Sequence, residues 1–440
     1  MTYSTDELAA MIRDDSVNRA VYTDPEIFEL EMTRIWGQAW IYVAHESQIP
    51  ETGSYFTTTL ARQPVLLVRQ DEQTFNLFFN RCAHKGSKVI EVESGASKVL
   101  RCGYHGWTYE LGGHCKHVTG GDAAYTKLGI DKSSACMALQ KVPSVASYRG
   151  FIFASLTPDA PDLASWLGPT ATSIDNMVDR SPEGRLEITG GALRYNHDSN
   201  WKFFVENLND LMHAMIAHQS SAQTARFMGK KLFPEGTEQP TEIQLLSPFA
   251  ENVDFFETMG IHAFDHGHSY SGGKTSIHAG YSGISGYEDA MEKAYGKERV
   301  AEIFSINRHN TVVYPCFTLK GAIQTIRVVK PVSVNQTVIE SWTLRLVGAP
   351  DEMLQRSILY CNLINSSGNL VGPDDHEAYH RVQLGLGTDA NDWVSMGRHM
   401  GADEPNDEGG FSATGSSDMV FRSQFKAWKQ YMTAARSALE

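Results

Sequence analysis

Two cysteines and two histidines lie in one short, glycine-containing stretch, RCAHKGSKVIEVESGASKVLRCGYHGWTY, at residues 81–109. One residue separates Cys82 from His84, two separate Cys102 from His105, and 17 lie between His84 and Cys102. Each pair therefore offers one thiolate and one imidazole to a shared centre. Tetrahedral zinc accepts this donor set but is usually held by a Cys pair and a His pair. A Rieske [2Fe-2S] cluster places two Cys on one iron and two His on the other, so the mixed order favours the cluster and leaves zinc as the alternative.

A second group of polar residues lies in VENLNDLMHAMIAH, residues 205–218, within a helix predicted over 199–218. At about 100° per residue, Asn207, Asp210 and His213 share one side of that helix, whereas His213 and His218 diverge by about 140°. One ion bound by both His would need long side-chain reach or a π-type widening of the helix. Two His and one carboxylate on one face of the ion form the ligand set of non-haem Fe(II) oxygenases. A helical His pair on its own is more often structural.

The carboxylate for such a site has to come from elsewhere in the chain. NLVGPDDHEAYHRVQLG, residues 369–385, offers Asp374 and Asp375 at the end of a predicted helical stretch. Aspartate is also common at ordinary helix boundaries, so the pair alone does not indicate a metal site.

The first stretch resembles a known family. RCAHKGS and CGYHGWTY resemble the Rieske domain of bacterial ring-hydroxylating oxygenases, whose usual pattern is CxHRG with CxYHGW. The chain departs from it at Lys85, where Arg is customary; this leaves Cys82, His84, Cys102 and His105 unchanged as the implied cluster ligands.

The second group resembles the mononuclear-iron motif of the same family, ENxxDxxHxxxxH. Its positions are matched in this chain by Glu206, Asn207, Asp210, His213 and His218. Met212 stands where Tyr is frequent, which affects the expected pocket wall and no ligand.

The resemblance implies specific roles for these residues. His213, His218 and Asp375 are the expected iron ligands, with Asp374 as the alternate for the carboxylate. Glu206, Asn207 and Asp210 are the expected catalytic residues. Asp210 is expected to bridge, by hydrogen bonds, the iron-ligating His213 and the cluster-ligating His105 of a neighbouring subunit.

The resemblance also implies the activity and the partners. The chain looks like the large (alpha) subunit of an aromatic-ring-hydroxylating dioxygenase that uses O₂ and electrons passed from NADH through a separate reductase, with or without a ferredoxin. The family forms trimers, either homotrimers or α₃β₃ assemblies with a small beta subunit. The chain is most similar to members that act on benzoate, terephthalate, anthranilate or salicylate, so the expected substrate is an aromatic carboxylate and the expected product a cis-dihydrodiol or catechol.

Other functions stay open at this point. A Rieske monooxygenase, such as a salicylate-type hydroxylase or an O-demethylase, would use the same ligands. A pure Rieske electron carrier would need neither His213 nor Asp375, and a zinc-stapled binding protein would lack a cluster.

The surrounding patterns predict an α+β fold with a small all-β Rieske domain inserted into a catalytic domain built on a central antiparallel sheet with flanking helices. Phe28, Met32, Ile35 and Trp36 have helical spacing after the start signal Asp24–Pro25. Period-two runs with turn residues between them predict strands from about 38 to 156 and again over 311–348. The Pro- and Asp-rich segment 157–169 predicts a linker, and 401–418 a surface loop. The predicted domains are 1–37 and 157–440, which form the catalytic part, and 38–156, the Rieske part. A last helix is predicted over 419–440.

The composition limits the partners and the cellular location that we expect. The 440 residues carry 38 Lys and Arg against 52 Asp and Glu, a formal charge of −14, without a marked run of like charge; nucleic acid and membrane surfaces are therefore not expected as partners. Six scattered Cys do not make a disulfide framework. The polar, acidic start of the chain does not match a secretory signal, and no apolar run approaches the roughly 20 residues of a membrane span. We expect a cytoplasmic protein.

Two further groups are weaker candidates. The segment IHAFDHGHSYSGGKTSIH, residues 261–278, holds four His, but its Gly and Ser content predicts a mobile loop, with a substrate lid as one use. A carboxylate substrate would favour an Arg in the pocket; Arg327 and Arg345 are the candidates.

Overall fold

The computed structural model describes residues 3–121, 125, 129–278 and 284–434. Over these ranges the chain divides into a larger unit, Met1–Ile35 with Ala164–Glu440, and a smaller unit, Trp36–Leu163. The smaller unit is mostly β and the larger one combines helices with an antiparallel sheet, so the predicted α+β class is confirmed. Among the described residues, no helix has both the length and the apolar character that crossing a bilayer requires.

The N-terminal elements of the larger unit lead into its longest early helix, α3. The Asp24 side chain accepts hydrogen bonds from the backbone N–H groups of Glu26 and Ile27, and Pro25 occupies the first turn, which is the expected start of a helix. These elements are α1 (Thr5–Ala10), β1 (Ser16–Asn18), α2 (Ala20–Thr23) and α3 (Pro25–Arg34).

The strands of the smaller unit form three antiparallel sheets in the described part of the chain, in the orders β10-β11-β2, β5-β4-β3-β6 and β7-β8-β9. Its core packs Leu66, Phe78 and Trp107 against both Cys82 and Cys102. The strands are β2 (Ile41–His45), β3 (Ser54–Leu60), β4 (Gln63–Arg69), β5 (Phe75–Phe79), β6 (Ser94–Ala96), β7 (Leu100–Arg101), β8 (Thr108–Tyr109), β9 (Cys115–His117), β10 (Ser144–Tyr148) and β11 (Phe151–Ser155).

The rest of the larger unit follows. Its helices are α4 (Leu163–Leu167), α5 (Ala171–Asp179), α6 (Trp201–Asn207), α7 (Ala214–Ala217), α8 (Gln219–Leu232), α9 (Thr241–Leu246), α10 (Val253–Met259), α11 (Tyr287–Tyr295), α12 (Lys297–Ser305), α13 (Asp351–Tyr360), α14 (Gly372–Leu386) and α15 (Met419–Thr433). Its strands are β12 (Leu186–His197), β13 (Ile261–Ala263), β14 (Ser269–Gly273), β15 (Asn307–Val313), β16 (Phe317–Lys320), β17 (Thr325–Ser333), β18 (Gln336–Leu346), β19 (Trp393–Ser395), β20 (Glu404–Pro405) and β21 (Phe411–Ala413). The predicted last helix is observed to Thr433, and residues 435–440 lie outside the described ranges.

Nine of these strands, counted over the described ranges, form one antiparallel sheet in the order β12-β18-β17-β16-β15-β14-β13-β21-β20. Directly paired residues share a face of a sheet. Thr318 pairs with Arg327 and Lys320 with Thr325, while Arg327 pairs with Ser341. One face of this sheet is therefore polar in its middle strands, although the side chains there are largely buried.

Helix α6 is anchored in the interior by the carboxylate of Glu31. Lys202 Nζ donates to its Oε1 at 2.7 Å and Trp201 Nε1 to its Oε2 at 2.9 Å. Trp428 Nε1 of α15 also donates to Oε1, at 2.6 Å. Glu31 and Lys202 are both fully buried, so helices α3, α6 and α15 meet at one ion pair.

Two of the sequence predictions are wrong here. Residues 261–278 are not a loop throughout, because β13 and β14 pair within the central sheet and His268 is buried, bonded to the Trp166 carbonyl and to the Tyr314 N–H. Asp374 and Asp375 lie in the first turn of α14 and not at the end of a helix. Gly and Ser content misled the first prediction; the apolar residues before the Asp pair misled the second.

Candidate active site

The two Cys-His loops of the smaller unit have matching geometry. In each, the glycine that follows the His has a left-handed backbone, with φ of 76° at Gly86 and 75° at Gly106, and its N–H donates to the carbonyl of the preceding Cys at 3.0 Å. A residue with a β-carbon rarely adopts this φ. The turns bring the rings of His84 and His105 to a centroid distance of 4.6 Å.

The donor atoms separate into an inner and an outer pair. Cys82 and Cys102 are buried with free thiols, whereas His84 and His105 are partly exposed. Nδ1 of His84 is buried and has no hydrogen-bond partner among the described residues, as expected of an atom reserved for a metal. Two buried thiols and two partly exposed imidazoles suit a [2Fe-2S] cluster in which one iron is held by Cys and the other by His. They suit a single tetrahedral ion less well.

Tyr109 adds a contact that the sequence did not indicate. Its hydroxyl accepts from the Ala83 N–H at 3.1 Å, so its own proton is directed to Cys82 Sγ, also at 3.1 Å. Burial and the neighbouring Cys82 raise the pKa of Tyr109 well above its usual value, so the hydroxyl keeps this proton. Lys85 is exposed, so the departure from the usual motif lies on the surface.

His213, His218 and Asp375 come together in the larger unit, each with a ligand atom within 4.8 Å of the others. Oδ1 of Asp375 lies 3.5 Å from His213 Nε2 and 3.3 Å from His218 Nε2. Burial raises the pKa of Asp375, but the hydrogen bond with His218 and the nearby His213 outweigh it and hold that pKa below its usual value. The carboxylate is therefore ionised, and the set fits a divalent iron.

Asp374 has a separate place beside the triad. Its Oδ2 lies 3.2 Å from Nδ1 of His218, the ring atom opposite the one that faces Asp375. A carboxylate on the second nitrogen of a metal-binding His fixes the tautomer and the ring orientation. This geometry favours Asp375 over Asp374 as the metal ligand.

The predicted single helix over 199–218 is wrong. Helix α6 ends at Asn207 and α7 begins only at Ala214, because Asp210 Oδ1 accepts from the backbone N–H groups of Met212 and His213, at 3.0 and 3.3 Å. The break turns His213 and His218 toward each other, with ring centroids 5.4 Å apart, so no π-type widening is needed between them. Met212 packs at the edge of the apolar cluster of this unit.

The other two motif residues, Glu206 and Asn207, are the last two residues of α6. Asn207 Nδ2 lies 3.1 Å from both His213 Nε2 and Asp375 Oδ1, directly at the triad. Glu206 accepts from the Tyr22 hydroxyl at 3.1 Å and, among the described residues, forms no hydrogen bond with any member of the triad. Burial raises the pKa of Glu206 to about 8, so its carboxyl is protonated at neutral pH.

The two candidate arginines differ in position. Arg345 pairs with Asp351 at the surface. Arg327 is half-buried, donates to Asn310 Oδ1 at 3.2 Å and lies over the Phe204 ring. Sequence reasoning missed two buried residues of the same sheet, Lys320 on β16, next to the strand of Arg327, and His309 on β15, one strand further. The signal for Lys320 was its position at the end of the apolar strand FTLK.

Comparison with known proteins finds matches to both parts of the chain. Residues 39–141 match the Rieske [2Fe-2S] domain, and residues 187–409 match the ring hydroxylating alpha subunit (catalytic domain). The chain is 32% identical over 429 residues to the toluate 1,2-dioxygenase alpha subunit of Pseudomonas putida, covering 95% of this chain and 91% of the relative. It is 30% identical to the anthranilate 1,2-dioxygenase large subunit of Acinetobacter baylyi, covering 87% and 80%.

A solved naphthalene 1,2-dioxygenase with bound indole shares the fold, with a TM-score of 0.81, 21% identity and coverage of 96% of this chain and 93% of that one. The matching models and relatives bear out the resemblance seen in the motifs, and they imply a Rieske [2Fe-2S] cluster and a mononuclear iron as cofactors. The chain belongs to the alpha subunits of the aromatic-ring-hydroxylating dioxygenases.

Proposed function

We propose that this alpha subunit dihydroxylates an aromatic carboxylate with O₂ and NADH-derived electrons, giving a cis-dihydrodiol or a catechol. The observation that carries the proposal is the triad of His213, His218 and Asp375 in a chain that also has the two Cys-His loops. The relatives named for toluate and anthranilate act on aromatic carboxylates, and this supports the substrate class.

The proposed ligands follow from the two donor sets. Cys82, His84, Cys102 and His105 would hold the cluster, within a domain proposed to span 38–156. His213, His218 and Asp375 would hold the iron in the domain formed by 1–37 and 157–440. When bound, the two groups supply electron storage and the activation of O₂.

The chain's own residues prepare this site. Asp374 holds the proton of His218 on Nδ1, so Nε2 presents a lone pair to the metal. Asn207 donates to Asp375 Oδ1 and keeps that carboxylate beside the two His. Glu206 holds a proton at neutral pH, so it adds no negative charge at the end of α6.

We further propose a trimer, either α₃ or α₃β₃, in which Asp210 accepts from the partner subunit's His105. Nδ1 of His213 is buried and has no partner among the described residues, and one oxygen of Asp210 is already used by backbone N–H groups of its own turn. A carboxylate between two imidazoles would orient both rings and shorten the electron path. A reductase, with or without a ferredoxin, would supply the electrons, and the acidic, disulfide-free chain fits a cytoplasmic location.

The test is a single turnover of chemically pre-reduced, iron-loaded protein under ¹⁸O₂ with benzoate, anthranilate, salicylate, terephthalate and naphthalene, with products read by mass spectrometry. We expect two labelled oxygens in a product from one of the acids. One labelled oxygen would make the chain a monooxygenase, and reaction with naphthalene alone would refute the carboxylate proposal.

A matched variant separates the electron carrier from the oxygenase. His213→Ala should abolish turnover while the visible spectrum of the cluster stays unchanged, and His380→Ala, on the outer part of α14, should leave both unchanged. If His213→Ala retained turnover, the proposed iron site would be wrong. Metal analysis that finds zinc and no iron in a colourless protein would refute the cluster as well.

A further inference from the structure

Lys320, the last residue of β16, carries its ammonium group into the interior of the larger unit. It is only 3% exposed. Its Nζ lies 2.8 Å from His309 Nδ1 and 5.4 Å from the ring centre of Tyr360. Within the described ranges no carboxylate pairs with it. A buried ammonium group costs several kcal/mol unless it is paired, so Lys320 can carry its charge here only beside an anion.

The neighbouring charges increase this imbalance. Arg327 lies on the same face of the sheet as Lys320, one strand away, because Thr318 pairs with Arg327 and Lys320 with Thr325. In the part of the chain that the structure describes, Arg327 also has no carboxylate partner and donates only to the neutral Asn310. Burial, and the positive charges of Arg327 and Arg356, lower the pKa of Lys320 well below its usual value. Without an anion the neutral amine of Lys320 is therefore favoured, and an anion bound beside Lys320 and Arg327 would restore the charge.

A series of ring contacts links this region to the iron triad. The His218 ring lies 5.8 Å from that of Phe249, which lies 5.5 Å from that of His278. The His278 ring in turn stacks on His309 at 6.0 Å, and His309 contacts Lys320. A continuous row of aromatic rings therefore runs from an iron-ligating His to the ammonium group.

A second path of contacts runs along the sheet. The Arg327 guanidinium lies 5.3 Å from the Phe204 ring of α6, the helix that ends at Asn207 beside the triad. Both Arg327 and Asp375 act electrostatically on Tyr195. Arg327 and Lys320 thus lie on the side of the sheet that faces the triad.

We propose that Lys320 determines substrate specificity by receiving the carboxylate of the substrate, with Arg327 as the second positive charge. The inference rests on the proposed function and assigns the residue that selects an acid over a neutral arene. Thr318, between the two cations on the same face, has a buried hydroxyl with no hydrogen-bond partner among the described residues, and it is available as a third donor. A hydrocarbon would leave Lys320 and Arg327 without a counter-charge and the Thr318 hydroxyl without a partner, and a site built to bond a polar group rejects analogues that lack it.

Calorimetric titration of the iron-loaded protein with benzoate and with benzamide tests this directly, because the amide has the same shape without the charge. The variants are Lys320→Met, Lys320→Gln and Lys320→Arg. For Met and Gln we expect benzoate binding to weaken about 100-fold, as for a lost partner of a buried charge, and benzamide binding to change by less than about 3-fold. Lys320→Arg keeps the charge and should retain most of the benzoate affinity.

Lys330→Met is the matched control, since Lys330 lies on β17 of the same sheet but is paired with Glu340 at 3.0 Å; its benzoate affinity should equal that of the unaltered protein. Thermal unfolding checks that each variant folds. Equal weakening of benzoate and benzamide in Lys320→Gln would show a structural role for Lys320, and unchanged benzoate affinity would also refute the proposal. If the unaltered protein binds benzamide or toluene but no benzoate, the carboxylate function itself is wrong.

Discussion

Tyr109→Phe removes the hydroxyl that donates to Cys82 Sγ at 3.1 Å and should lower the reduction potential of the cluster. A hydrogen bond to a charged group is worth about 1.5–3 kcal/mol. This hydrogen bond stabilises both oxidation states of the cluster, but the reduced, more negative state more strongly. We take the difference as about 1 kcal/mol, which is part of the full hydrogen-bond energy. Since about 1.4 kcal/mol corresponds to 59 mV for one electron, the expected change is roughly −40 mV. The fold should be kept, because the phenyl ring still fills the same buried site.

The assay is a redox titration followed by the electron paramagnetic resonance signal of the reduced cluster. Tyr104→Phe is the control, because Tyr104 is 68% exposed, lies against the His105 ring and makes no hydrogen bond through its hydroxyl among the described residues; its potential should stay within about 10 mV of the starting value. An unchanged or raised potential in Tyr109→Phe would mean that the hydroxyl does not donate to the cysteine sulfur.

Three further changes have defined outcomes. Asp374→Asn should weaken iron binding by about 10- to 100-fold, since it loosens His218, while Glu377→Gln on the exposed side of α14 should not; iron content after dialysis against a chelator measures both. Glu31→Gln leaves the fully buried Lys202 without its counter-charge and should lower the free energy of unfolding by about 3–5 kcal/mol, whereas the exposed Glu26→Gln on the same helix should cost far less; urea unfolding decides. The pKa of Glu206 is raised from 4.5 to about 8 in the folded state, so Glu206 stays protonated in the native chain while it ionises in the unfolded chain. The free energy of unfolding should therefore fall as the pH rises from about 5 to 8, by at most about 1.4 kcal/mol per pH unit. In Glu206→Gln the free energy of unfolding should change less over that window. Urea unfolding at pH 6 and pH 8 measures this, and an equal change in the variant and the unaltered protein would contradict the assignment.

The sequence predicted best what is local. The proposed cluster ligands lie in two short loops whose Cys-His spacing and glycines define the geometry almost alone. The strands at 54–79 and 311–348 were predictable because each alternates and is separated from the next by turn residues. Asp375, by contrast, is 168 residues from the Asn207 that holds it, and only the family resemblance indicated it.

Other features depended on tertiary contacts. Leu208 and Leu211 continue the helical spacing of α6, and nothing in that spacing shows that Asp210 bonds the backbone and ends the helix. Lys320 looked like a polar strand end, because its burial depends on a sheet neighbour and on helix α13 packing over it. The clustering of Lys320 and Arg327 therefore became visible only when the strands were placed side by side.

The meeting of three helices at Glu31 also has a consequence for biosynthesis. Its hydrogen-bond donors come from Trp201, Lys202 and Trp428. The Glu31 carboxylate therefore obtains its last donor from a residue synthesised 397 positions later. Domains generally fold as units during synthesis, the N-terminal one first. The smaller unit is contiguous and can fold while translation continues, whereas Glu31, which anchors α6, obtains its last donor only after Trp428 has been synthesised. The anchor of α6 is therefore completed later in synthesis than the two Cys-His loops.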